Sequence, residues 1–173
     1  MIVLLDLDQT MADTSSFERL RSQRRWDEIA SNMPGVLPYP GITDLLAALR
    51  ERSIRWGVVT SAPRGRYAEP LLKALGVTPH VVIGYEDTDR QKPWPDPLLK
   101  AHNKLAQGID PLPLPSSTIF VGDRLNDMKA ARAAGMKAMA AIWLSRETMS
   151  DTSGDAPPDA FLDAPLDLLR HLE

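Results

Sequence analysis

Five apolar runs alternate with amphipathic stretches along this chain of 173 residues, and this alternation constrains the fold more than any other feature. The runs that predict β-strands cover residues 2–5, 54–59, 80–83, 118–121 and 136–142. The stretches that predict helices cover residues 42–52, 67–75, 95–106 and 124–134. Gly76, Gly108 and Gly135 stand near the predicted helix ends, where a left-handed residue commonly stops a helix. Alternating strands and helices predict an α/β fold with a doubly wound parallel sheet.

One interval, at about residues 11–40, breaks the alternation because it contains no strand pattern. It holds a helical stretch that starts at Ser15, where Glu18 three residues later fits a capping box. We predict a small helical insertion here, within a single domain that covers residues 1–173. Four arginines lie in this stretch, at positions 19, 21, 24 and 25, and such groups usually form a solvated helix face. If one of them reaches a site, we expect Arg19 or Arg24.

The two ends and the loops give further expectations. We predict a short closing helix over residues 166–172 and exposed connections over 110–115 and 150–158, where prolines cluster. The first apolar run is interrupted by Asp6 and follows no basic segment, so it predicts neither a signal peptide nor a membrane span. We therefore expect a cytoplasmic protein with no membrane partner.

The composition excludes several classes of function. The chain is 43% hydrophobic and 25% charged, with a net charge of −3, which is typical of a globular protein and not of a nucleic-acid binder. It has no cysteine, so disulfides, thiolate zinc sites and a cysteine nucleophile are excluded.

Polar residues follow the predicted strands at the edge where an open α/β sheet binds ligands. They are Asp6 and Asp8 after the first strand, Thr60 and Ser61 after the second, Asp123 and Asp127 after the fourth, and Lys92 at the start of a helix. Carboxylates so close together repel one another, and Mg2+ is the simplest ion that neutralises them. Carboxylates, a hydroxyl and an ammonium are the groups that phosphoryl transfer requires.

Several of these residues also have structural interpretations. Asp123 is equally suited to cap the following helix, and Asp127 to pair with a nearby arginine on the helix surface. Thr60 and Ser61 fit a turn, and an isolated Lys92 would be a surface charge. Only the pair of Asp6 and Asp8, directly after an apolar strand, is seldom structural.

Four ordered segments resemble the motifs of the haloacid dehalogenase superfamily, over residues 2 to about 142. They are Asp6-Leu7-Asp8-Gln9-Thr10, Thr60, Lys92-Pro93 and Gly122-Asp123-Arg124-Leu125-Asn126-Asp127. The resemblance implies a Rossmann-like core with a cap, which would be small here because the insertion is short.

The resemblance also implies a role for each motif residue. Asp6 would be the nucleophile and Asp8 the general acid and base. The side chains of Asp6 and Asp123, the backbone carbonyl of Asp8 and, as a further ligand, Asp127 would hold Mg2+. Thr60 and Lys92 would bind the phosphoryl oxygens. Their neighbours Ser61 and Arg64 are candidate substrate contacts.

These roles predict a Mg2+-dependent phosphatase that hydrolyses a phosphomonoester through an aspartyl-phosphate. The substrate would be a small-molecule ester or a phosphorylated macromolecule, and a second copy of the chain is a candidate for closing the open site. Two alternatives remain: a phosphotransferase or phosphomutase of the same family, and a binding module without catalytic activity.

Overall fold

Six parallel strands form one sheet in the order β3-β2-β1-β4-β5-β6 in the computed structural model, which describes residues 1–144 and 156–172. The strands are β1 (Ile2–Leu5), β2 (Arg55–Val59), β3 (Val81–Ile83), β4 (Thr118–Gly122), β5 (Lys137–Ala141) and β6 (Ala160–Leu162). The α-helices are α1 (Glu18–Ser22), α2 (Trp26–Asn32), α3 (Ile42–Glu51), α4 (Glu69–Ala74), α5 (Asp96–Ala106) and α6 (Leu125–Ala133). The predicted α/β class and doubly wound sheet are confirmed.

The strand β1 lies at the centre of the sheet, because Val3 pairs with Trp56 on one side and with Ile119 on the other. Its side chains alternate between two hydrophobic cores, as strand geometry requires. Val3 and Leu5 belong to the core that α3 and α4 cover, whereas Ile2 and Leu4 belong to the core that α5 and α6 cover. A strand that is buried on both faces explains why residues 2–5 are all apolar.

The insertion between β1 and α3 contains α1, α2 and two short 3-10 turns, Ser15–Phe17 and Met33–Gly35. Phe17, Ile29 and Met33 anchor it to the core on the α3 side of the sheet. The predicted capping box is wrong. The Asp13 carboxylate, not that of Glu18, accepts a hydrogen bond from the Ser15 N–H at 2.9 Å.

The structure adds detail that the periodicity did not predict. The strand β6 was missed because it has only three residues and one of them, Phe161, is 51% exposed. The closing helix is a 3-10 helix, Pro165–His171, and a π-helical turn, Arg64–Ala68, precedes α4. The predicted connection at 150–158 lies outside the described residues as far as residue 155. Within the described segments, no helix has the length and apolar character that spanning a bilayer requires.

Candidate active site

The carboxyl ends of β1 and β4 place two carboxylates side by side. The N–H of Asp6 donates to the carbonyl of Val121 at 2.8 Å, so Asp6 continues the line of β1, and its side chain is buried. Gly122 ends β4, and a Cβ there would lie 2.6 Å from the Cβ, Cγ and Oδ2 of Asp127. The absence of a side chain at Gly122 therefore lets Asp127, on α6, approach the strand end.

Lys92 joins these elements. Its Nζ lies 2.7 Å from Oδ1 of Asp6 and 2.7 Å from Oδ1 of Asp127, and its side chain is only 6% exposed. Burial alone would lower the pKa of Lys92, but the carboxylates of Asp127 and Asp6 raise it above its usual value. Lys92 is therefore a buried cation that two carboxylates share.

Three carboxylates form a cluster beside this lysine. Asp6, Asp123 and Asp127 each place one oxygen within 4.8 Å of the others. Burial and the neighbouring carboxylates raise the pKa of Asp6 to about 8, against the opposing effect of Lys92, and raise that of Asp123 to about 7. Both oxygens of Asp123 are buried without a hydrogen-bond partner, and Nε of Arg124 is 3.8 Å away.

The unpartnered oxygens provide a test of whether these residues fit a metal ion. A buried carboxylate normally accepts hydrogen bonds, and leaving it without them costs free energy. An oxygen-only donor set of several carboxylates matches the ligands that Mg2+ prefers. Asp6, Asp123 and Asp127 therefore fit a hard divalent cation.

Asp8 is half-buried, and its environment differs from that of Asp123 because hydrogen-bond donors surround its carboxylate. Its Oδ1 accepts a hydrogen bond from Oγ1 of Thr14 at 2.7 Å and another from the hydroxyl of Tyr67. The same oxygen forms an ion pair with Nη1 of Arg21 at 2.5 Å. The arginine that reaches the site is thus Arg21, not Arg19 or Arg24, which are both exposed.

The remaining predicted site residues follow β2. Thr60 is buried, its N–H donates to the carbonyl of Ile83 at 2.9 Å, and its Oγ1 accepts from the N–H of Ala62 at 3.1 Å. Ser61 is exposed at the same strand end. Arg64 does not line the cavity with them. Its guanidinium binds Asp87 at 2.8 Å and lies 3.5 Å from Glu69.

Most of the site residues line one cavity of about 520 Å³. Six of the predicted residues line it: Asp6, Asp8, Thr60, Ser61, Lys92 and Asp127. The insertion contributes Glu18, Arg21, Ser22 and Trp26, and the segments that follow the strands contribute Ala62, Tyr85, Gln91, Arg124 and Asn126. Asp123 lines a neighbouring cavity of about 320 Å³. The spacing of Glu18, Arg21 and Ser22 is that of one helix face, a signal that could have identified Arg21 in the sequence.

The geometry also decides between the structural interpretations. Asp127 is buried against Lys92 and does not form a surface pair, although its Oδ2 accepts the N–H of Arg124 at 3.0 Å and so caps α6. Asp123 caps no helix, because neither of its oxygens accepts a hydrogen bond among the described residues.

Comparison with known proteins identifies relatives of this chain. N-acetylmuramic acid 6-phosphate phosphatase of Pseudomonas aeruginosa is 38% identical over 138 residues, which are 79% of this chain and 58% of the relative. Phosphoglycolate phosphatase of Escherichia coli is 39% identical over 114 residues, 65% of this chain and 42% of the relative. The chain thus spans about half the length of the curated relatives it matches.

A solved structure and a family model extend the comparison. The crystal structure of CbbY from Rhodobacter sphaeroides in complex with phosphate has a TM-score of 0.78 and 20% identity, covering 97% of this chain and 96% of that one, and shares the fold. The family model of haloacid dehalogenase-like hydrolases matches residues 4–135, from β1 through α6. Since that match contains all four motifs and most of the sheet, the chain belongs to the haloacid dehalogenase-like hydrolases.

Proposed function

We propose that this chain is a Mg2+-dependent phosphatase that hydrolyses a phosphomonoester through a phosphorylated Asp6. The observation that carries the proposal is the position of Asp6, which shares Lys92 with Asp127 and opens on the same cavity as Asp8. A nucleophile, a separate proton donor and a buried cation are what cleavage of a phosphate ester needs.

The reaction has two steps. A carboxylate oxygen of Asp6 attacks phosphorus, the bond to the ester oxygen breaks, and Asp8 gives a proton to that oxygen as the alcohol leaves. Water then attacks the phosphorus of the phosphorylated Asp6 and gives a proton to Asp8. The bond between phosphorus and the Asp6 oxygen breaks, which releases inorganic phosphate and regenerates the Asp6 carboxylate and the protonated Asp8.

Other residues of the cavity would bind the phosphoryl group. Thr60 and Ser61 offer hydroxyl or backbone donors at the end of β2, and Lys92 offers an ammonium. Mg2+, held by Asp6, Asp123, Asp127 and the backbone carbonyl of Asp8, would neutralise negative charge on the carboxylates and on the phosphoryl oxygens. Arg64 would need to release Asp87 before it could join them, so we leave it out of the binding set.

The substrate and acceptor are proposed from the openness of the site and from the relatives. Two relatives are named as phosphatases of N-acetylmuramic acid 6-phosphate and of phosphoglycolate, so we propose a small phosphomonoester. The insertion has only two short helices, which leaves water free to act as acceptor and favours hydrolysis over transfer. A location in the cytoplasm and closure by a second copy remain predictions.

The test is phosphate release from four esters with and without Mg2+: 2-phosphoglycolate, N-acetylmuramic acid 6-phosphate, glucose 6-phosphate and p-nitrophenyl phosphate. We expect release that requires the metal and is lost in Asp6→Asn. The matched control is Asp89→Asn, which changes an exposed carboxylate outside the cavity. Release that survives Asp6→Asn would refute the nucleophile. If the folded wild-type chain with Mg2+ releases no phosphate from any ester, the binding-module alternative is favoured.

A further inference from the structure

Asp8 is held from three directions through one oxygen atom. The hydroxyl of Thr14, the hydroxyl of Tyr67 and the guanidinium of Arg21 all contact Oδ1. Thr14 directly precedes the 3-10 turn Ser15–Phe17 of the insertion, Tyr67 lies in the π-helical turn before α4, and Arg21 lies on α1. The proposed function assigns no role to Tyr67 or Arg21.

Tyr67 is fixed in place by its surroundings. Its side chain is fully buried, and its ring packs edge-on against Trp26 with centroids 5.6 Å apart. The guanidinium carbon of Arg21 lies 5.9 Å from the centroid of the same ring. Burial and the nearby Asp8 carboxylate raise the pKa of Tyr67 above its usual value, so its hydroxyl remains a neutral donor. A rigid ring with a neutral donor defines one position for the atom that it contacts.

We propose that Tyr67 and Arg21 are positioning residues that hold Oδ1 of Asp8, leaving Oδ2 to exchange the proton with the ester oxygen and then with water. The inference rests on the proposed function. An oxygen that already accepts from three donors has little capacity left to carry a proton, because a carboxyl oxygen offers about two lone-pair sites. The transferable proton is therefore confined to Oδ2.

The two residues contribute differently to proton transfer. Tyr67 is neutral and donates to either form of Asp8, so it fixes orientation. The charge of Arg21 stabilises the carboxylate that forms as the proton leaves, so it favours completion of the transfer. The short insertion would thus support the proton donor in addition to bordering the cavity.

The dependence of the rate on the leaving group provides the test. An alkoxide needs a proton as it departs, whereas p-nitrophenolate departs readily without one. Two esters are therefore compared: the alkyl ester that the wild type cleaves fastest, and p-nitrophenyl phosphate. The ratio of kcat/KM for the alkyl ester to kcat/KM for p-nitrophenyl phosphate reports on proton donation by Asp8. We expect Tyr67→Phe to lower this ratio about 5- to 10-fold, the effect of one lost hydrogen bond. Arg21→Gln should lower it as well, and Arg21→Lys should recover part of the loss.

The matched control is Tyr39→Phe. Tyr39 also donates from a partly buried hydroxyl, to the carbonyl of Trp143 at 2.6 Å, but it does not line the cavity. A general loss of packing would lower kcat/KM for both esters equally and leave the ratio unchanged. If Tyr67→Phe does not fold, the Arg21 pair of variants, on the half-buried surface of α1, decides the test.

The outcomes separate this inference from the function on which it rests. A ratio that falls in Tyr67→Phe and Arg21→Gln but not in Tyr39→Phe supports the inference. A wild type that cleaves both esters, with an unchanged ratio in these variants, overturns the positioning role and leaves the phosphatase intact. A folded wild type that cleaves neither ester overturns both.

Discussion

Replacing Asp123 by asparagine should stabilise the metal-free protein, although it removes a residue of the candidate metal cluster. Asp123 is 3% exposed, neither of its carboxylate oxygens has a hydrogen-bond partner, and its pKa is raised from 3.8 to about 7. Between these two values the folded state binds more protons than the unfolded state. The free energy of unfolding therefore falls as pH rises through this window.

The magnitude follows from that rise in pKa. At about 1.4 kcal/mol for each pKa unit, an ionised Asp123 lowers the free energy of unfolding by about 4 kcal/mol near pH 8. Part of this cost comes from repulsion between Asp123 and its neighbours Asp6 and Asp127, so single changes are not additive. We therefore expect Asp123→Asn to raise the free energy of unfolding by about 2–4 kcal/mol near pH 8 and by much less near pH 5. The asparagine is neutral and nearly the same size, so packing changes little.

Urea unfolding in a chelating buffer, at both pH values, measures this difference. When the unfolding is repeated with millimolar Mg2+, the free energy of unfolding should increase more for the wild type than for the variant, because the ion binds only the folded site. The exposed Asp89→Asn serves as control and should change the free energy of unfolding by less than about 0.5 kcal/mol. The reasoning is refuted if metal-free Asp123→Asn is no more stable than the wild type near pH 8, or if Mg2+ stabilises both equally.

Three further predictions follow from the same elements. In the absence of metal, Lys92→Met should lower the free energy of unfolding by about 3 kcal/mol, because it leaves the buried carboxylates of Asp6 and Asp127 without their shared cation. Chemical denaturation measures this change, and an unchanged midpoint would contradict it. Gly122→Ala should lower the free energy of unfolding by about 1–3 kcal/mol and reduce phosphate release, because its Cβ would press on Asp127. Gly35→Ala, where nothing lies within 4 Å of the added Cβ, is its control. Mg2+ should raise the melting temperature more near pH 8 than near pH 6, because protons compete with the ion for Asp6 and Asp123, whose pKa values are about 8 and 7. Scanning calorimetry measures both shifts in melting temperature, and equal shifts would argue against metal binding by these residues.

The central part of the fold was predictable because each strand buried on both faces needs an uninterrupted apolar run. Residues 2–5 and 118–121 are such runs, and β1 and β4 begin at the first residue of each run. The edge strand β6 was not predictable in this way, since an edge strand can expose a side chain such as Phe161. Element type followed from local pattern wherever burial was complete.

The part of the candidate site that lies at or just after strand ends was predictable, whereas the part that the insertion contributes was not. Asp6, Asp8 and Thr60 line the cavity as their strand-end positions predict, and Asp127 lines it from the first turn of the helix that follows β4. The position of Arg21 depends on where α1 begins and ends. Arg24 has a φ of 56° and lies between α1 and α2, so the arginines at positions 19–25 do not share one helix face.

Tyr67 illustrates a second limit. It is 59 residues from Asp8 in the sequence, and its hydroxyl contacts Asp8 from within the π-helical turn. No spacing in the chain encodes that contact, because it requires both the sheet order and the turn.

The central place of β1 has a consequence for synthesis of the chain. The strand that leads to Asp6 precedes both of its hydrogen-bonding neighbours in the chain, which lie in residues 55–59 and 118–122. A nascent chain that has not yet emerged past residue 122 cannot close the sheet around β1 on both sides. Residues 2–5 must therefore wait for β4 before they are paired on both sides, so the appearance of activity would follow the pairing of β1 with β4, not the start of folding.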